Sequence, residues 1–329
     1  MKSSNCGEEK MPSMRVKDIF RKQGGMRLIR QYMKSGALLT AILQFFILGK
    51  NRTGLEILRL ATQLKTKRKL ERRYRKKLLE IESNYDSTLP HNNCKKIWVC
   101  WLQGIDNAPE IVKVCYKSLR KNIACREIIL ITEENYRKYI EFPAFIQAKI
   151  DKGIIKGAHM TDLLRLELLT KYGGTWIDAT VLCTSENIPP YMLEADLFMF
   201  QCLKPGRDGH TTVISNWFIT AASNNRLLFN TRELLYSYWS KNNSLIDYYI
   251  FHLFFQICID LYPEDWINVI PFCNSVPHIL LLRLFEKYDE EVWKSVCNIT
   301  PFHKLTYKFE RDEMKPEDSY YKKIMEVYG

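Results

Sequence analysis

In the stretch AHMTDLLRLELLTKYGGTWIDATVLC, residues 158–183, a few charged groups punctuate an otherwise leucine-rich sequence. His159, Asp162 and Arg165 recur every three residues, so a helix places them on successive turns of one broad side. Two glycines then allow a tight turn and a close backbone approach. The short apolar run 175–177 delivers Asp178 to the C-terminal end of a strand, where open α/β sheets bind ligands. Asp162 can accept hydrogen bonds, and Arg165 can donate a planar fork to ligand oxygens or to the Asp178 carboxylate. The plain alternative is a surface ion pair and a turn residue, but a leucine-rich helix has little reason to carry both charges inward.

The elements that must position these groups are legible around them. KKIWVCWL (95–102) is a short apolar run of strand type, ending at Gly104. APEIVKVCYKSLRKN (108–122) has Pro109 near a helix start and Ile111, Val112, Cys115 and Leu119 on one face. REIILIT (126–132) reads as a second buried strand, and EENYRKYI after it as helical. Residues 159–172 form a strong helical pattern closed by Gly173 and Gly174. Residues 175–178, 196–202 and 216–222 read as further strands. This β-α-β-α order predicts an α/β fold with a mainly parallel sheet and a ligand crevice at the strand C-termini. The chain beyond Asn225 reads as mostly helical and aromatic, a candidate lid or acceptor-side region.

Charge divides the sequence unevenly. Residues 1–80 carry 21 Lys and Arg against 6 Asp and Glu, a net of +15, and the remaining 249 residues carry 28 against 31, a net of −3. A duplex-binding enzyme would show basic residues around its cleft as well, so nucleic acid is not the expected partner. The basic part is better read as docking to an anionic membrane surface. Residues 1–13 read as a disordered tail, 14–83 as a basic amphipathic helical region including a long helix over 53–83, 84–93 as a linker, and 94–329 as the main domain.

The stretch GALLTAILQFFILG (36–49) is too short to span a bilayer, which takes about 20 apolar residues. Its residues Leu38, Leu39, Ile42, Phe45 and Phe46 fall at helical spacing. Two readings stay open for that face: packing on the main domain, or in-plane contact with a membrane. The ten cysteines show no C-x-x-C spacing and no zinc-site rhythm, and no signal peptide is expected. Reduced, mostly buried thiols are therefore expected, with a cytoplasmic location, peripheral at the inner face of the cell membrane.

The 158–183 segment resembles the signature of the capsular polysaccharide synthesis proteins and the related family 32 glycosyltransferases, which carry a DXD sugar-binding region. That pattern runs His, Ser/Thr-Asp, leucines with an Arg, Tyr-Gly-Gly, two or three apolar residues, and an Asp-led triplet. Here it is His159, Thr161-Asp162, Arg165, Tyr172-Gly173-Gly174, Trp176-Ile177 and Asp178-Ala179-Thr180. IWVCWLQGIDNAPEIVKVCYKSLRK and HKLTYK (303–308) resemble further family blocks, in the same order, so the likeness covers roughly residues 95–308.

The resemblance implies a GT-A-type nucleotide-sugar-binding sheet flanked by helices, with a basic N-terminal helical region and a helical C-terminal part. It implies a hexosyltransferase that uses a nucleotide-sugar donor, expected to be UDP-linked, with retention of configuration. The acceptor would be a saccharide, lipid-linked, in capsular or other surface polysaccharide assembly. The donor's base and ribose would lie near Trp101, Gln103, Gly104 and Thr132. His159, Asp162, Arg165, Gly174, Asp178, Thr180, Asn216 and Lys304 complete the implied donor site, with Asp162, Arg165 and Asp178 at its catalytic centre. Trp217 and Asp247 fall where sugar contacts are also expected, although core packing is the plainer account of Trp217 and helix capping accounts for Asp247.

One departure bears on metal. The family's third triplet position is a carboxylate that binds Mn²⁺ or Mg²⁺, and here it is Thr180, a weaker ligand. Asp178, Thr180 and His303 are the expected metal set, with Lys304 as an added point charge. A non-catalytic sugar-nucleotide binder or assembly scaffold is the alternative, and the missing carboxylate is its support.

Overall fold

Among the described residues before 83, the helical periodicity is taken up by α1 (Met26–Ser35), α2 (Leu38–Leu48) and α3 (Arg52–Glu82). Gly36, at φ 72°, closes α1 while its own N–H and that of Ala37 return to the carbonyls of Met33 and Tyr32. The computed structural model describes residues 25–204, 211–309 and 317–329. The expected tail 1–13 and the first part of the basic region, 14–24, lie outside the described residues.

The chain divides into two units, 1–69 with 245–248 and 70–244 with 249–329. In the first unit, α2 leaves Leu39, Ile42, Leu43, Phe46 and Ile47 exposed, and Ala37 and Ala41 are buried. The exposed five follow i, i+3, i+4, i+7, i+8 and so form one continuous apolar stripe. The face is rotated from the one the sequence pointed to, because Leu38 and Phe45 are half-buried while Leu43 and Ile47 turn outward. No described helix is long and apolar enough to cross a membrane.

The second unit holds β1 (Lys96–Cys100), α4 (Glu110–Asn122), β2 (Glu127–Ile131), α5 (Ala144–Asp151), α6 (Ala158–Tyr172), β3 (Gly174–Asp178) and β4 (Val181–Cys183). There follow α7 (Pro190–Glu194), β5 (Leu197–Gln201), β6 (Ile214–Ala221), α8 (Arg226–Lys241), α9 (Ile250–Leu261), α10 (Ile279–Leu282), α11 (Glu290–Ile299), β7 (Phe302–Lys304) and α12 (Tyr320–Tyr328).

The central sheet runs β2-β1-β3-β6-β5. β1 pairs parallel with β2 and β3, but β6 is antiparallel to both β3 and β5. The sheet is therefore mixed where a mainly parallel one was expected. Only twelve residues separate β5 from β6, the lower limit for a parallel crossover, so antiparallel pairing is the easier connection.

One sheet face packs Ile97, Val99, Ile177, Phe198 and Phe218 against α4 and the C-terminal segment through Ile111, Cys115, Leu119 and Ile324. Trp98 and Trp176 are cross-strand partners, so they share the opposite face. A second, two-stranded sheet pairs β4 antiparallel with β7, with Val181 opposite Lys304 and Leu182 opposite His303.

Two local expectations change. EENYRKYI yields only a short turn of 3₁₀ helix, Tyr136–Lys138. The Asn135 side chain accepts from the Thr132 N–H and donates to the Leu130 carbonyl, 2.8 Å each, which diverts the backbone from a longer helix. The 84–93 stretch, expected to be a linker, is fastened within the second unit. Asn92 and Ser223 exchange bonds, and the Tyr85 hydroxyl donates to the Asn224 carbonyl at 2.8 Å.

Candidate functional site

α6 starts after Gly157, at φ 55°, and stops at Gly173, at φ 71°. Leu163, Leu164, Leu166, Leu168 and Leu169 are all buried, and so are Asp162 and Arg165 among them. Charges this deep are tolerated only when paired and hydrogen-bonded. Arg165 Nε donates to the Thr161 carbonyl at 3.2 Å, and Nη1 donates to the Asn216 carbonyl. Nη2 lies 3.5 Å from Asp162 Oδ1 and 3.6 Å from Asp178 Oδ1. The guanidinium also sits over the Trp176 ring, 4.8 Å from its centroid. Its side chain is only 5% exposed, so Arg165 is a buried clamp joining helix to strand end.

Asp162 has further partners. Asn216 Nδ2 donates to Oδ1 at 2.8 Å, and His159 Nδ1 stands 3.8 Å from Oδ2. Asn216 reaches it from the start of β6, which the antiparallel register with β3 places beside the Asp178 end of the sheet. The two carboxylates and the amide thus meet at one edge.

Asp178 is the last residue of β3 and the register partner of Cys100 on β1. The Trp176 indole donates to its Oδ1 at 3.0 Å, and Lys304 Nζ lies 3.2 Å from its Oδ2. Burial is the strongest influence on this carboxyl and would raise its pKa. Lys304 and Arg165, with the hydrogen bonds of Trp176 and Lys304, together outweigh burial and hold it below the ordinary carboxylate value. Lys304 also donates to Thr180 Oγ1. The β4–β7 pairing delivers it there, extended by the Leu305 N–H to the Thr180 carbonyl at 2.9 Å.

Trp101, Gln103, Gly104 and Thr132 lie just beyond the C-terminal ends of β1 and β2, on the sheet edge that carries Asp178. Trp101 N–H to the Ile131 carbonyl, 3.0 Å, and Glu133 N–H to the Leu102 carbonyl, 2.9 Å, tie these two loops together. The Trp101 ring meets Tyr307 edge-on at 5.3 Å. Its buried indole N–H has no hydrogen-bond partner among the described residues.

Two expected residues stand apart. Gly174 opens β3 and is four residues from Asp178, roughly 13 Å along the strand. Its place is set by packing, since a Cβ there would lie 2.5 Å from the Lys96 carbonyl oxygen, and its φ is 93°. His303 is fully buried, with Nε2 3.1 Å from Thr184 Oγ1, and burial pushes its imidazole down to about 4. Alternation along β7 turns it away from the side on which Lys304 reaches Asp178. Trp217 is core, stacked on Phe200 at 4.5 Å, and Asp247 belongs to the first unit.

Three contributors were not singled out from sequence. Trp176 both donates to Asp178 and underlies Arg165, yet it reads as one more apolar strand residue. Tyr307 lies inside the HKLTYK block but carried no role of its own. His252 on α9 is pushed down to about 4 chiefly by burial, with Asp162 opposing and Arg165 adding to the effect, so it neighbours the cluster. It was hidden in an aromatic run that reads as core.

The donor set does not fit Mn²⁺ or Mg²⁺. Hard divalent cations need several oxygen ligands converging on one point. Among the described residues no three of His, Cys, Asp or Glu converge in that way. Asp178 already has a cation on each oxygen, the Thr180 hydroxyl accepts from Lys304, and His303 is directed elsewhere.

The family model described as capsular polysaccharide synthesis protein matches residues 52–324. A search of the curated proteins finds no match. Among solved structures, the PaToxG glycosyltransferase is 16% identical, with 80% of this chain and 97% of that chain covered and a TM-score of 0.35. That likeness is too slight to transfer either structure or role.

Proposed function

Because the chain belongs to the capsular polysaccharide synthesis protein family, we propose that it is a glycosyltransferase that moves a hexose from a nucleotide-sugar donor to a saccharide acceptor. The observation that carries this reading is the Asp162–Arg165–Asp178 cluster at the C-terminal edge of the sheet, its first two members buried and Asp178 half-buried, with Asn216 and Lys304 beside it. Neutral hydroxyls of a sugar can exchange hydrogen bonds with such a cluster without adding charge to it. The base and ribose of the donor, with UDP as the first nucleotide to test, would lie against Trp101, Gln103, Gly104 and Thr132 in a GT-A-type arrangement. The unpartnered Trp101 indole N–H is a donor waiting for a ligand atom.

The transfer is proposed to retain configuration by front-face attack of the acceptor hydroxyl. Asp178 is held by two cations and Asp162 by Arg165 and Asn216, so neither is suited to act as nucleophile. Positioning of donor and acceptor then supplies much of the rate.

The acceptor is proposed to be lipid-linked, reached at the inner face of the cell membrane. Supporting this are the exposed α2 stripe and the +15 of residues 1–80, which suit anionic lipid. The test is a panel of nucleotide sugars, followed by thermal stabilisation and by slow donor hydrolysis. Stabilisation with turnover by one sugar nucleotide is the expected result. Stabilisation without turnover would favour the scaffold reading, and no response to any donor would overturn both.

A further inference from the structure

We propose that Lys304 stands where a divalent cation would otherwise be needed, so that the protein binds its nucleoside diphosphate and turns over without metal. The inference rests on the donor reading above and deepens it. Its ground is one juxtaposition: a single ammonium lies 3.2 Å from Asp178 Oδ2 and donates to Thr180 Oγ1, at the mouth of the strand edge.

Charge arithmetic favours this assignment. A divalent cation held by the protein alone calls for two carboxylates for local neutrality, whereas one carboxylate and one hydroxyl are neutralised by one ammonium. The residues present match the second case at each position: Asp178 supplies the single negative charge, Thr180 the neutral acceptor and Lys304 the single positive charge. Nearby, Asp162 and Arg165 cancel in the same way. The site is therefore balanced as it stands, so before a donor arrives nothing in it calls for a dication.

Geometry gives Lys304 the means to act on a ligand. An ammonium has three N–H donors, and Asp178 and Thr180 take two. The third remains for a diphosphate oxygen, and the side chain is 18% exposed, enough to meet one. Arg165 cannot take that role, because its nitrogens are engaged by Thr161, Asn216, Asp162 and Asp178 and it is buried. β7 fixes the Lys304 backbone through its pairing with Val181, so the charge is held in place before the ligand arrives. As the donor's glycosidic bond to the diphosphate breaks, the electron pair goes to the leaving oxygen, the acceptor oxygen bonds to the sugar carbon, and the acceptor's hydroxyl proton passes to the departing phosphate. The negative charge that develops there is met by the fixed ammonium.

The test is calorimetric titration of the full chain with UDP, GDP and ADP, in EDTA and then in MnCl₂, for the wild-type protein and Lys304→Ala. One nucleotide is expected to bind the wild-type protein equally in both media, within about twofold. Lys304→Ala should weaken it by roughly 10- to 100-fold, the range for a lost charge-assisted hydrogen bond. Should Lys304→Ala fail to fold, Lys304→Met keeps the stem and carries the same expectation. Binding that demands Mn²⁺, or a folded variant that binds as the wild type does, would overturn the role of Lys304 while leaving the donor reading intact. Binding of no nucleotide in either medium would overturn the donor reading and this inference with it.

Discussion

Arg165 Nη2 and Asp178 Oδ1 lie 3.6 Å apart, joining the middle of a helix to the end of the strand that follows it. The turn between them is tight because Gly173 and Gly174 both take positive φ, which lets β3 double back beside α6. The pairing serves two ends. It makes the burial of Arg165 beside a half-buried carboxylate tolerable, and it fixes the carboxylate's orientation against the Trp176 indole.

From this relationship, Asp178→Asn should leave the fold intact, since an amide still accepts from Trp176 and retains its size. Turnover of the donor should fall by a factor on the order of 10² to 10³ for loss of a fixed charge at the reacting centre. Arg165→Lys should be nearly as damaging, because an ammonium cannot span Thr161, Asn216 and two carboxylates at once. Circular dichroism beside a donor-turnover assay checks both. Near-normal turnover in either variant would remove the cluster from the active site.

Gly174→Ala separates packing from binding. The new Cβ would meet the Lys96 carbonyl oxygen at 2.5 Å in a backbone conformation that L residues avoid, so stability should drop by at least about 1–3 kcal/mol. The protein that remains folded should bind the donor normally, because this residue stands at the far end of β3. Urea unfolding gives the first quantity and titration of the folded fraction gives the second. Lost binding with unchanged stability would return Gly174 to the ligand site.

The helix carrying Asp162 and Arg165, and the strand ending in Asp178, were legible because periodicity and a short apolar run are local signals. What surrounds them is set by contacts distant in sequence. Whether His303 or Lys304 faces Asp178 depends on the register of β7 against β4, which joins Leu182 to His303. A shift of one residue would exchange their roles, and nothing local fixes that register. The position of Gly174 was hidden for a related reason. A motif gives order along the chain, but a strand has two ends, and only Asp178 lies at the ligand one. The direction of β6, and with it the arrival of Asn216 beside Asp162, is likewise a property of the sheet.

The buried His303 makes a prediction about acid stability. Its folded-state pKa is lowered to about 4 by burial, against about 6.5 in an unfolded chain. The unfolded state therefore takes up a proton first as pH falls, and stability is lost between about pH 6.5 and pH 4. The full loss would be about 3 kcal/mol for this one group. His303→Gln, which does not titrate, should flatten that part of the curve. Urea midpoints measured from pH 7.5 to pH 4 for both proteins provide the check, and parallel curves would show that His303 is not held neutral.

The α2 stripe offers a test of how the enzyme meets its acceptor. Phe46 and Ile47 are 79% and 78% exposed, so changing both to Ser removes little packing and should leave the folded state within about 0.5 kcal/mol of its original stability. Binding to anionic lipid should have two parts. Basic residues near a negatively charged surface contribute about 1 kcal/mol each and are screened by salt. The inserted apolar side chains add a part that salt does not weaken. Flotation with vesicles containing phosphatidylserine should show wild-type binding that declines with salt to a residual level. In the double Ser variant the residual should vanish, while the salt-sensitive part persists. Vesicles of neutral phosphatidylcholine should recover little of either protein. Turnover with a water-soluble acceptor should be the same for both proteins, and turnover with an acceptor embedded in anionic vesicles should fall in the variant. Equal flotation of the two proteins at every salt concentration would mean that the stripe does not enter the membrane. Unfolding of the variant would mean that the stripe is part of the first unit's packing.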